Sequence, residues 1–165
     1  MVAAISWSGG KDGWLALLRA RAAGLDVRYA LTMFDESGER SRSHAVRPEL
    51  MAAQTAALEL EPVTVRAPWQ DYETNLVAAL RALAGRGVDT VVFGDIDIAA
   101  HRAFEERVCT AAGLTAHLPL WQQGRGAVQT RSSNARWASI SMSPNTTVST
   151  PHPASAHKAA TRFVS

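Results

Sequence analysis

The sequence predicts an α/β fold: a parallel sheet of about five strands with helices on both faces. Three observations carry this. Short apolar runs alternate with helix-patterned segments from Val2 to Leu118. Those runs are continuous, not alternating, as in strands buried on both sides. The connections between them are long enough to hold a crossover helix, which parallel neighbours require.

Val2 to Ser6 is the first strand and ends in a Gly-rich turn. Trp14, Leu15, Leu17 and Leu18 mark a helix that stops near Gly24, a glycine well suited to a C-cap. Val27 to Phe34 is a second strand, followed by a polar loop from Asp35 to His44. Arg47 to Leu60 suits a helix, with Pro48 in the first turn, where a missing N–H costs little. Pro62 to Arg66 is a third strand. The next helix, Trp69 to Leu83, sets Leu76, Leu80 and Leu83 on one side and closes at Gly85 and Gly87. Thr90 to Phe93 is a fourth strand, ending at Gly94-Asp95-Ile96. A helix from Ile98 to Ala112 then stops at Gly113, and Leu114 to Leu118 is a fifth strand.

The chain has 165 residues, 47% hydrophobic and 19% charged, which fits one globular domain. No apolar run approaches the roughly 18 residues of a membrane span. The start enters a strand directly, without the basic region of a signal peptide, and Cys109 is a single cysteine. A cytoplasmic protein is the expectation. The pI of about 9.1 points toward nucleic acid. Its distribution points away: residues 1 to 121 hold 12 Lys and Arg against 15 Asp and Glu, a net of −3, while five basic residues follow with no acid. Nucleic acid is therefore not an expected partner.

Ligands in parallel sheets bind at the carboxyl ends of the strands, so the loops after Ser6, Phe34 and Phe93 should line one crevice. The first of them is Ser8-Gly9-Gly10-Lys11-Asp12-Gly13. Gly9 and Gly10 allow the backbone to approach an anion, Ser8 offers a hydroxyl and Lys11 a charge, and the helix behind adds its positive end. The spacing is not the Walker pattern. An ordinary glycine-rich turn with an exposed lysine is the alternative.

This loop resembles the signature of the PP-loop ATP pyrophosphatases. Within them, residues 1 to 121 resemble the diphthine–ammonia ligase family and its bacterial ATP-binding relatives. The likeness runs through Thr32-Met33-Phe34, Ser43-His44 with Gln54, Gly94-Asp95-Ile96, Glu106-Arg107-Val108-Cys109, Gly113-Leu114 and Pro119-Leu120-Trp121. It implies a Rossmann-like sheet of the adenine nucleotide alpha hydrolase type and cleavage of ATP between its α- and β-phosphates. A substrate carboxylate would become an acyl-adenylate, releasing pyrophosphate, and ammonia would then displace AMP to leave an amide. Ser8, Gly9, Gly10 and Lys11 match the family's pyrophosphate-binding positions and Asp12 its acidic one. Gly13 stands where Ser is commoner, so one hydroxyl contact is missing.

Other candidates follow from the same likeness. Met33 would hold the adenine or simply pack in the core. His44 would line the crevice or lie exposed. Asp95, with Asp97, could bind Mg²⁺ or order a nucleophile, as could Asp12. Asp97 equally suits an N-cap. Gly94 would let ligand approach the backbone. Glu106 and Arg107 would lie near the site or make surface contacts. His101 and Arg102 read as a solvated helix face, and Cys109 as a buried small residue.

From Gln122 the composition turns to Ser, Thr, Ala, Pro and Arg without periodicity, which predicts a largely disordered tail. Family members continue past Pro-Leu-Trp with an acidic amphipathic stretch and a Glu- and Gly-rich motif, and neither is present. The expectation is a truncated or frameshifted member whose ATP-binding domain spans residues 1 to 121. A non-catalytic ATP-binding module and an ATP-dependent tRNA-modifying enzyme are the competing readings.

Overall fold

The computed structural model describes residues 1–123. The expected disordered or out-of-frame tail lies, past Gln123, outside the described residues. Five strands, β1 (Val2–Ser6), β2 (Asp26–Phe34), β3 (Glu61–Arg66), β4 (Thr90–Val92) and β5 (Thr115–His117), form one sheet in the order β3-β2-β1-β4-β5. Every pairing is parallel. The helices between them are α1 (Lys11–Ala22), α2 (Pro48–Ala57), α3 (Tyr72–Ala84) and α4 (Ala99–Ala111).

Each face of the sheet has its own core. On one, Leu15, Leu17 and Ala20 of α1 and Met51 of α2 pack on Ala3, Ile5, Ala30 and Val92. On the other, Leu76, Leu80 and Leu83 of α3 and Val108 and Cys109 of α4 pack on Ala4, Leu31, Met33 and Val91. The sheet is thus covered twice, and continuous apolar strands are what such burial needs. Leu18, expected on the buried side of α1, is exposed, because its neighbours Leu15, Ala16 and Leu17 already fill the helix's inward stripe. Trp69–Asp71 is a separate 3₁₀ turn after Pro68, and α3 begins only at Tyr72.

The sequence runs outward from β1 to β2 and β3, then returns to β4 on the other side of β1. The crevice at such a reversal lies at the carboxyl ends of the strands flanking it. Here those ends carry the Ser8–Gly13 loop and residues 93–98. Among the described residues no helix is long and apolar enough to cross a membrane.

Candidate functional site

The loop after β1 is anchored from below by Trp7. Its N–H donates to Leu31 O, its carbonyl accepts from Thr32 Oγ1 at 2.8 Å, and its buried indole Nε1 donates to Gln54 Oε1 at 3.3 Å. Gln54 on α2 therefore braces the loop from the side. Gly9 has φ +79°, and a Cβ there would meet Gln54 Oε1 at 2.9 Å. A Cβ on Gly10 would meet the His44 ring at 2.9 Å. These glycines make room for Gln54 and His44, a tighter reason for glycine than ligand approach alone. Gly10 is the N-cap of α1 and supplies no side-chain cap, so the helix's leading N–H groups face the crevice.

Lys11 Nζ and Asp12 Oδ1 form a 2.7 Å ion pair at the start of α1. A Cβ on Gly13 would touch only the Trp7 ring, at 3.6 Å, so a serine would fit here without strain. Gly94 behaves differently. A Cβ there would lie 2.9 Å from Gly13 N and 3.1 Å from Asp12 C. Gly94 thus lets the end of β4 pack directly against the start of α1, locking the two loops together.

Between these loops lies a cavity of about 490 Å³ lined by Ser8, Lys11, Asp12, Gly13, His44 and residues 93 to 98, among others. A second cavity, of about 420 Å³, is bounded by Arg42, Trp69, Tyr72, Leu76, Phe104 and Glu105. The two share Ser6, Ser43, Phe93, Asp95 and His101, so they form one continuous crevice. The first is polar and carries the loop. The second is walled by rings: Trp69 and Tyr72 have centroids 5.5 Å apart, Tyr72 and Phe104 6.2 Å. Arg42 lies over Trp69 at 5.4 Å and donates to Ala67 O.

Ser8, Lys11, Asp12, Gly13, His44, Gly94 and Asp95 line the first cavity; Gly9 and Gly10 lie behind them and do not border it. Neither does Met33. Its side chain is buried in the core under α3 and α4, and its carbonyl accepts from the Arg42 N–H. Glu106 pairs with Arg102, and Arg107 with Glu73, on exposed helix surface. Cys109 is buried, and burial pushes its thiol up to about 12.

Two residues change standing. His101, read as part of a solvated face, holds Asp95: its Nδ1 lies 2.7 Å from Asp95 Oδ1, and both line both cavities. Glu105, unmarked in the sequence reading, is only 7% exposed. Burial first, then its hydrogen bond with Asp95, pushes its carboxyl up to about 10. Its Oε2 is buried without a donor among the described residues. A proton on Glu105 shared with Asp95 accounts for this arrangement. The signal was available: His101, Glu105 and Val108 recur at the helical spacing of the inward stripe of α4.

A magnesium ion bound with nucleotide needs one or two carboxylates, the phosphates supplying most of the rest. Asp12, at the mouth of the loop, would supply one such carboxylate by exchanging its pair with Lys11 for the ion. Asp95 is already engaged by His101 and Glu105, and no group of three or more His, Cys, Asp or Glu able to hold a metal occurs among the described residues.

A family model described as the diphthamide synthase N-terminal domain matches residues 1–116. The fold is similar to that of a solved chain from Methanocaldococcus jannaschii described as a predicted subunit of tRNA methyltransferase. The TM-score is 0.53 at 13% identity, covering 81% of this chain and 76% of that one. No curated protein matches the chain.

Proposed function

The chain belongs to the diphthamide synthase family through its N-terminal domain, and we propose that residues 1 to 121 bind ATP and split it between the α- and β-phosphates. The observation that carries this is the placement of Lys11 and the uncapped N-terminus of α1 in one cavity, opposite the β4 loop. Backbone N–H groups at a helix start, with one lysine, make an anion site matched to pyrophosphate. The neighbouring cavity offers an aromatic slot, and an adenine ring needs a planar apolar slot beside the phosphate site. ATP therefore lies across both, its triphosphate on the loop and its base against the wall made by Trp69, Tyr72 and Phe104. Met33 serves from the core beneath and not as a direct contact.

In this reading Ser8 and the amides of Gly9 and Gly10 orient the β- and γ-phosphates, and Lys11 offsets charge growing on the pyrophosphate as it leaves. Magnesium held at Asp12 would supply further charge neutralisation on the phosphates. His44, packed on Gly10, closes the loop from above. The carboxylate-bearing acceptor attacks the α-phosphate to give an acyl-adenylate, and ammonia converts it to an amide. The chemistry belongs to a cytoplasmic ATP-dependent ligase.

The test is equilibrium binding of labelled ATP to the full chain, followed by detection of AMP and pyrophosphate. Binding with formation of both products is the expected result. Binding without AMP release would favour a non-catalytic ATP-binding module. AMP formation dependent on added tRNA would favour the tRNA-modifying reading, toward which the name of the similar solved chain points. No binding would remove the central claim.

A further inference from the structure

Resting on the ATP reading above, we propose that His101 is a catalytic residue of this site, held by Asp95 beside the α-phosphate to take the proton released when an amine displaces AMP. The position follows from the two cavities. With the triphosphate on the loop and the base in the aromatic slot, the ribose and α-phosphate must pass through the stretch the cavities share. That stretch is Ser6, Ser43, Phe93, Asp95 and His101. Of these, His101 alone carries an imidazole, the side chain most often used to move a proton in a transition state.

Orientation follows from the hydrogen bonds. Asp95 Oδ1 accepts from His101 Nδ1 at 2.7 Å, which fixes the proton on that nitrogen and leaves the lone pair on Nε2. Among the described residues Nε2 has no partner. Asp95 is steadied from the buried side by Glu105, which is 7% exposed and hydrogen-bonds to that carboxylate. The result is a chain from core to crevice, Glu105 to Asp95 to His101, in which each group orients the next. His44, the other histidine on the crevice, packs against Gly10 at the pyrophosphate end and is not placed for this step. Lys11 is at the same end, paired with Asp12.

The step balances without a further reagent. The nitrogen lone pair attacks the acyl carbon, the carbon–nitrogen bond forms, and the carbon–oxygen bond to phosphate breaks with its electron pair leaving on AMP. The nitrogen gives one proton to His101 Nε2, and the imidazolium is stabilised by Asp95. His101 returns the proton to water after the amide has formed.

The experiment is nitrogen-15 NMR of the full chain, with AMP and pyrophosphate as separate probes. The expected result has His101 protonated at Nδ1 in the free protein and at Nε2 in Asp95→Asn, whose amide N–H can donate to the ring Nδ1 where the carboxylate could only accept. AMP should move the His101 Nε2 signal, while pyrophosphate should move the Gly9 and Gly10 amides and leave His101 unchanged. In the AMP-release assay, His101→Ala should lower turnover by about 10²- to 10⁴-fold, the range of general acid–base catalysis, with ATP affinity within about threefold of the parent. Loop amides that respond while His101 ignores saturating AMP, or a wild-type His101 protonated at Nε2, would overturn the assignment but leave ATP binding standing. Silence of the loop amides to both probes would overturn the ATP reading and this inference with it.

Discussion

Glu105 shows how a single residue sets a measurable property. Its carboxyl is held near 10, against about 4.5 for an ordinary glutamate, because burial penalises the charged form and Asp95 stands beside it. The folded chain therefore keeps this proton where the unfolded chain has released it. Its contribution is fully present below pH 4.5 and declines as pH rises toward 10, at up to about 1.4 kcal/mol per pH unit. Glu105→Gln matches the shape of the protonated acid and still donates to Asp95. Urea unfolding of both proteins between pH 5 and 9 should show the variant gaining on the parent as pH rises. A constant difference across that range would mean that Glu105 is charged in the fold. In the sequence this residue was hidden by its neighbour: family likeness drew attention to Glu106, which sits one position, about 100° of helix, away on the wet face. Lys11 and Asp12 were easier to place, since a loop between strand and helix fixes their position without any knowledge of packing.

At the scale of elements, the segment after β5 does more than end the fold. Leu120 is fully buried in the core under α1 and α2, and Pro119 O accepts from Arg19 Nη1 at 3.0 Å. Trp121 lies beneath the Arg102 guanidinium at 5.2 Å, and the Gln122 N–H donates to Ile96 O at 2.7 Å. This strap joins α1, α4 and the β4 loop, so it holds Asp95 in place through the backbone next door. Leu120→Ala should cost about 2–5 kcal/mol, the range for deleting a buried leucine, read as a lower urea midpoint. The same variant should speed hydrogen exchange at the amides of residues 94–98, because their tether is loosened. Unchanged exchange there would confine the strap to core filling. Its sequence gives no periodicity to read, since it is neither strand nor helix; only the family motif marked it. The strands and helices, by contrast, carried their own periods, and their bounds differ from expectation by a residue or two except where α2 stops at Ala57, three residues before Leu60, and where Pro68 separates Trp69 from α3.

For the whole molecule, alternating strands and helices predicted a parallel sheet, but strand order lies beyond a local pattern. The order β3-β2-β1-β4-β5 depends on where the chain re-enters after α3. That return sets β4 beside β1 and brings Gly94 against Gly13, so the site is assembled by contacts 81 residues apart in sequence. Because the loop is tied to β2 and α2 through Trp7 and packs on Gly94 after β4, a ligand on it should stabilise the molecule as one unit. A ligand bound only by the folded state adds RT ln(1 + [L]/Kd), about 2.7 kcal/mol at one hundred times Kd. The melting temperature of the chain should therefore climb steadily with ATP concentration. Lys11→Ala should melt close to the parent without nucleotide, since Lys11 is exposed and its ion pair is with the adjacent Asp12. With ATP it should lose most of the rise. Equal rises in both proteins would place the triphosphate elsewhere than on the Ser8–Gly13 loop, while a variant that melts far lower without nucleotide would make Lys11 a structural residue instead.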